Sequence, residues 1–185
     1  MSYNIPNVLS LLRLLLAFLL PILVVWWVPK NSTTLHLGVA FLFMLIGLTD
    51  FFDGYIARRW HQESLIGKLL DPLADKCLVI ATMIALVAVN RISYVWALLF
   101  IGREFFVMGL REISLAHGVM LSVAWPGKVK TALQMLYLCV VLVSGSQPVN
   151  SFMLVLERGL LSLAVFYTVY SAVVYYNLCY PLLYL

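Results

Sequence analysis

The chain has 185 residues, of which 64% are hydrophobic and 11% charged, and its mean hydropathy is +1.01. A soluble domain of this length needs far more charged surface, so the composition excludes an ordinary soluble protein and predicts one membrane domain over residues 1–185. The net charge of +4 comes with no basic stripe or base-stacking motif, which argues against nucleic-acid binding.

Six apolar segments follow one another along the chain, and each is long enough to cross a bilayer as an α-helix. They cover roughly 8–28, 35–57, 64–89, 93–116, 126–146 and 152–178, with turn-forming Pro, Gly, Asn and Ser residues between them. The segments are too long for strands and lack the alternation of polar and apolar residues that strands show. The sequence therefore predicts an all-α, polytopic membrane protein with six transmembrane helices.

Most basic residues near the predicted span ends fall on one side of the membrane. This side contains Arg13, Arg58, Arg59, Lys68, Arg111, Lys128 and Lys130, whereas the other side contains Lys30, Arg91 and Arg158. An excess of Lys and Arg marks the cytoplasmic face of a membrane protein. Both termini, the second loop and the fourth loop are therefore predicted to be cytoplasmic.

Four aspartates occur within 26 residues of this apolar chain, and they are half of its eight acidic residues. Asp50 and Asp53 are three residues apart, and Asp71 and Asp75 are four apart, so each pair shares one face of a helix. Helices joined by a short loop are antiparallel neighbours, so the four carboxylates can meet, and without cations they would repel one another. An all-oxygen donor set without histidine predicts Mg²⁺ or Mn²⁺ and argues against zinc.

Small residues lie beside these aspartates on the same predicted helix faces. Gly54, Ala57 and Gly67 leave room for a ligand to approach the backbone, but the same spacing also suits close packing between two membrane helices. Arg58 is open to two interpretations as well. It is either an ion-pair partner of the carboxylates or a clamp for phosphate oxygens, which its planar fork fits.

The aspartates and small residues together form one pattern. It reads Asp50-x-x-Asp53-Gly54-x-x-Ala57-Arg58, then eight residues, then Gly67-x-x-x-Asp71-x-x-x-Asp75. This pattern is similar to the signature of the CDP-alcohol phosphotransferase family, and every fixed position of that signature is present. The resemblance implies a six-helix enzyme of a bacterial-type cell (inner) membrane, with two divalent metal ions at a cytoplasm-facing site and a homodimeric assembly. Such an enzyme transfers a substituted phosphoryl group from a CDP-linked donor to an alcohol and releases CMP.

The resemblance also implies a role for each matched residue. Asp50, Asp53 and Asp71 correspond to metal ligands, and Asp75 corresponds to a ligand that also acts as general base on the acceptor hydroxyl. The matched positions at the donor, CDP-diacylglycerol, are Gly54, Ala57, Arg58, Ser64 and Gly67.

Three further stretches resemble the branch of the family that uses glycerol 3-phosphate as acceptor. They are "NIPNVLSLLR" at 4–13, "GREFFVMGLRE" at 102–112 and "WPGKVKTALQ" at 125–134. Arg103 and Arg111 fall within about 80° of each other around a helix, and Lys128 and Lys130 begin the next span on the same side. These four cations are predicted to bind the phosphate of the acceptor.

Other interpretations of these residues remain open from the sequence. The arginines could instead pair with Glu104, Glu112 or lipid headgroups, and the lysines could serve only to set the topology. Within the family, the acceptor could be inositol phosphate or phosphatidylglycerol. In a different class of protein, the aspartates could line a divalent-cation channel or transporter, although an arginine beside a cation path would oppose conduction.

Overall fold

The structure of the chain is a computed structural model. It describes residues 5–30, 32–60, 65–121, 124–145 and 151–181, and within these it describes the backbone alone for 5–13, 49–60 and 65–75.

The described residues form six α-helices and one short 3-10 helix, and they contain no strand. The α-helices are α1 (Ile5–Trp27), α2 (Thr33–Trp60), α3 (Leu65–Ala88), α4 (Tyr94–Ala116), α5 (Trp125–Ser144) and α6 (Ser151–Cys179), and the 3-10 helix is Val28–Lys30. The all-α prediction is confirmed for these residues. Each helix matches one of the six apolar segments, and the predicted limits differ from the observed ones by at most three residues.

Three of the helices are followed, one or two residues later, by a residue with a positive φ angle. Asn90 follows α3 with φ 57°, Gly118 follows α4 with φ 75°, and Gly145 follows α5 with φ 61°. A left-handed residue just after a helix lets its last carbonyl groups find donors, and glycine or asparagine adopts this conformation most readily. At the other end of a helix, the hydroxyl of Ser93 caps α4 by accepting a hydrogen bond from the backbone N–H of Val95.

One compact unit contains α1, α2, α3 and the end of α5. In it, α1 packs mainly against α3 and also contacts α2. Its buried side chains include Leu20, Val24, Phe43, Leu78 and Leu86. Polar contacts tie its ends together, since His36 hydrogen-bonds the carbonyl oxygen of Val28 at 3.0 Å and Arg91 Nη2 donates to Ser144 Oγ at 2.7 Å.

The second compact unit contains α4, most of α5, and α6. Here α4 packs against α6, and Val107, Leu110, Tyr175 and Cys179 form a buried cluster between them. Leu121 and Ala124, which precede α5, pack against the same cluster. This unit therefore holds the "GREFFVMGLRE" stretch of α4 against α6.

Two helices of the described residues are long and apolar enough to cross a membrane by length and composition. They are Trp125–Ser144 and Ser151–Cys179. Only 11% of the apolar window in the second of these is buried, which sets α6 apart from the core helix of a soluble protein. Six membrane crossings stay a prediction.

Candidate active site

The predicted metal ligands lie on two helices, as the spacing argument requires. Asp50 and Asp53 are in α2, Asp71 and Asp75 are in α3, and these two helices contact each other. The backbone around all four is helical, so each pair of aspartates has the helical spacing that was assumed. The side chains themselves lie outside the described residues. Carboxylate oxygens are the donors that a hard divalent ion prefers, so the chemistry of this donor set fits such an ion.

The predicted donor-binding residues fall in the same part of the chain. Gly54, Ala57 and Arg58 are in α2, and Gly67 is in α3. Their side-chain surroundings, and Ser64 as a whole, lie outside the described residues. Their roles stay predictions.

A cluster of charged side chains joins α4 to α5. Arg103 Nη1 lies 3.2 Å from Glu104 Oε1, and Lys130 Nζ donates a hydrogen bond to the same oxygen. The Lys130 side chain is 2% exposed, that of Arg103 9%, and that of Glu104 20%. Burying a cation is costly unless an opposite charge is close, and Glu104 provides such a charge to both cations.

The cluster extends to α6, where Arg103 meets two side chains. Arg103 donates from Nε to Ser171 Oγ at 3.1 Å and from Nη2 to the same oxygen at 2.9 Å. Its Cζ atom also lies over the ring of Tyr175, 5.7 Å from the centroid, which is a cation–π geometry. The guanidinium is therefore held by α4 and α6 together.

The first turn of α5 and the residue before it lie next to the same guanidinium and the Tyr175 ring. The backbone N–H of Ala124 donates to the Tyr175 hydroxyl at 2.9 Å, and Gly127 packs so closely that a Cβ atom there would lie 3.5 Å from this hydroxyl and 3.6 Å from Arg103 Nη2. The N-terminal end of an α-helix carries a partial positive charge. Arg103, Lys130 and the start of α5 therefore lie in one cluster, with the Glu104 carboxylate between the two cations.

The four predicted phosphate-binding cations do not all join this cluster. Arg103 and Lys130 are brought together by Glu104. The ion pair between Arg103 and Glu104 is one of the pairings that the sequence had left open. Arg111 and Lys128 are exposed, and neither reaches Glu104 within the described residues. Arg111 instead lines a pocket of about 350 Å³ with Glu112. Convergence of all four cations stays a prediction.

Sequence reasoning missed the partners of Arg103 on α6. A signal for them was present, because Thr168, Ser171 and Tyr175 are spaced by three and four residues in an otherwise apolar segment. Residues with this spacing share one helix face, and polar groups on one face of a membrane helix mark an interior contact.

The described residues form an all-α fold with four aspartates on α2 and α3 and a cluster of charged side chains on α4 and α5. A model of the CDP-alcohol phosphatidyltransferase family matches residues 3–172. The chain belongs to the CDP-alcohol phosphatidyltransferase family. Members of this family are membrane enzymes that use divalent metal ions.

Relatives of the chain carry the name CDP-diacylglycerol–glycerol-3-phosphate 3-phosphatidyltransferase. The relative from Rickettsia felis is 34% identical over 176 residues, which cover 95% of both chains. The relative from Rickettsia bellii is 37% identical over 177 residues, again 95% of both. The relative from Salmonella typhimurium is 40% identical over 151 residues, or 75% of this chain and 76% of that protein.

Proposed function

We propose that the protein transfers the phosphatidyl group of CDP-diacylglycerol to glycerol 3-phosphate, giving phosphatidylglycerophosphate and CMP. This is a step of phospholipid biosynthesis. The names and near full-length coverage of the relatives support the reaction. The observation that carries the choice of acceptor is the buried pair of cations, Arg103 and Lys130, around Glu104.

This cluster suits an acceptor that already carries a phosphate. Two cations and one carboxylate leave a net charge of +1. Arg103 has five N–H bonds, of which three donate to Ser171 and Glu104. Within the described residues the other two have no acceptor, so they can donate to phosphate oxygens in a charge-assisted contact. A neutral acceptor such as serine, choline or plain inositol has no use for such a site.

The acidic residues are the proposed ligands of the metal ions. Asp50, Asp53, Asp71 and Asp75 would hold Mg²⁺ or Mn²⁺, two ions per active site, and the bound ions would neutralise the diphosphate of the donor. Asp75 takes the proton from the primary hydroxyl of glycerol 3-phosphate. That oxygen attacks the β-phosphorus of CDP-diacylglycerol, the bond to the CMP oxygen breaks, and CMP leaves with the electron pair.

The donor lies along α2 in this proposal. Gly54, Ala57, Arg58, Ser64 and Gly67 bind its CDP group. An apolar groove of about 460 Å³, lined on α2 from Leu37 to Leu48, ends two residues before Asp50 and suits an acyl chain. Shortening the acyl chains of the donor is therefore expected to raise its KM.

The membrane arrangement completes the proposal. Six transmembrane helices cross the cell (inner) membrane, with both termini and the active site on the cytoplasmic side and two copies forming a homodimer. The cytoplasmic side is where the soluble acceptor arrives, and the excess of Lys and Arg in the second and fourth loops supports this orientation.

One assay tests the function directly. Purified protein is given CDP-diacylglycerol with glycerol 3-phosphate, inositol phosphate, serine or phosphatidylglycerol, and CMP release is followed. We expect rapid release with glycerol 3-phosphate and a background rate with the others, and Asp75→Asn serves as the control that lacks the base. Preferred use of any other acceptor would overturn the proposal while leaving the family assignment intact.

A further inference from the structure

The hydroxyl of Ser171 makes three hydrogen bonds, two of them with Arg103. It donates its hydrogen to the carbonyl oxygen of Thr168 at 3.0 Å and accepts from both Nε and Nη2 of Arg103. A hydroxyl has one hydrogen and two acceptor lone pairs, so these three bonds use its full capacity. Ser171 is also completely buried. Its hydroxyl therefore has no further donor or acceptor for a ligand, so Ser171 can act only through Arg103.

We propose that Ser171 is a positioning residue of the acceptor site, which orients the Arg103 guanidinium so that its remaining donors meet the phosphate of the acceptor. This rests on the function proposed above. Two bonds from one oxygen to Nε and Nη2 hold a whole edge of the planar guanidinium, which a single bond cannot do.

Two other contacts support the same orientation. The Tyr175 ring lies against the face of the guanidinium, and its hydroxyl is itself fixed by the backbone N–H of Ala124. Arg103 Nη1 donates a hydrogen bond to Glu104 Oε1. Ser171, Tyr175 and Glu104 together fix the orientation of the guanidinium before any ligand binds, so Arg103 loses little rotamer freedom when it binds an anion. Its affinity for phosphate is therefore higher than that of a mobile arginine side chain.

Ser171 could instead serve only to join α4 to α6, and kinetics separate the two roles. Ser171→Ala is expected to raise the acceptor KM on the order of tenfold, the low end for losing a hydrogen bond to a charged group, with kcat and the donor KM nearly unchanged. Ser171→Cys retains the shape but offers only a weak acceptor, so it is expected to behave like alanine. Inhibition by inorganic phosphate should weaken in parallel, because phosphate alone probes the same contact.

The matched control is Ser162→Ala, which removes another hydroxyl of α6. Ser162 Oγ donates to the carbonyl oxygen of Arg158 at 2.9 Å and is exposed. This variant is expected to leave both KM values unchanged. Thermal melting in detergent and size-exclusion chromatography show whether each variant is folded.

A double-mutant cycle with Arg103→Ala decides whether Ser171 acts through Arg103. If it does, Ser171→Ala has no further effect on the acceptor KM once Arg103 is replaced. Independent, multiplying effects would overturn the positioning role alone, and so would a Ser171→Ala variant that lowers kcat and weakens both substrates equally. An Arg103→Ala variant with an unchanged acceptor KM has a different meaning, because it removes the proposed acceptor site and the positioning role with it.

Discussion

Lys128 and Lys130 offer a sharp test of which cations bind the acceptor. The two lysines are one residue apart at the start of α5, yet Lys130 is buried against Glu104 and Lys128 is exposed. Replacing each with methionine removes the charge and retains most of the length of the side chain. In Lys130→Met, Glu104 still has Arg103 as a cationic partner.

The expected magnitudes differ because burial controls how strongly a charge acts. A charge-assisted contact in a site that excludes water contributes roughly 1.5–3 kcal/mol, so Lys130→Met should lower kcat/KM for the acceptor about ten- to a hundredfold. An exposed charge contributes roughly 0–1 kcal/mol, so Lys128→Met should lower it at most about fivefold. Added salt should diminish the effect of Lys128→Met and leave that of Lys130→Met, because a buried charge is screened less.

The assay follows CMP release while one substrate is varied and the other is saturating. The reasoning requires that Lys130→Met affects the acceptor and spares the donor KM. An equal loss in both lysine variants would refute it, because burial in the Glu104 cluster would then have no bearing on acceptor binding.

Three further predictions concern the rest of the chain. Asp50→Ala and excess chelator should each abolish CMP release, and full turnover in chelator would contradict a divalent-metal site. Arg58→Lys retains the charge but loses the bidentate fork, so the donor KM should rise in the same assay while metal binding, measured by calorimetry, persists; unchanged kinetics would make Arg58 only an ion-pair partner. Gly145→Ala should lower the free energy of unfolding by roughly 1–3 kcal/mol, because φ is 61° and the new Cβ would lie 2.0 Å from the His36 ring. Its control, Gly38→Ala in the open interior of α2, should stabilise the protein by up to about 1 kcal/mol in detergent melts, and equal melting of the two variants would contradict the argument.

The helices could be predicted from the sequence because each one coincides with one predominantly apolar segment of bilayer-spanning length. The ends of α3, α4 and α5 could be predicted as well, since asparagine (Asn90) and glycine (Gly118 and Gly145) are the residue types that most readily adopt a left-handed backbone. Local sequence determines both features. The polar partners of Arg103 could not be predicted from local sequence. Ser171 lies 68 residues further along the chain, and its contact with Arg103 depends on how α4 packs against α6.

The angular argument for Arg103 and Arg111 shows a second limit of sequence reasoning. The two residues do fall near one another when viewed down a helix axis, as their spacing of eight requires. Along the axis, however, eight residues cover about 12 Å, more than two turns. Arg103 lies beside Ser171 and Tyr175, whereas Arg111 is exposed two turns further along α4. The angle around the helix must therefore be combined with the distance along its axis, and a shared acceptor site for the two arginines stays a prediction.

The sequence left two interpretations of the cations open, pairing with acidic side chains or binding a phosphate, and the geometry makes them compatible. Without a carboxylate nearby, Lys130 at 2% exposure would be destabilised by the loss of its hydration. Glu104 offsets that cost in the protein itself, through one oxygen that serves both cations. The net charge of the three groups is still positive, and Arg103 retains two N–H donors beyond its described partners. Pairing with Glu104 therefore stabilises the buried cations and is compatible with their proposed binding of an anionic acceptor.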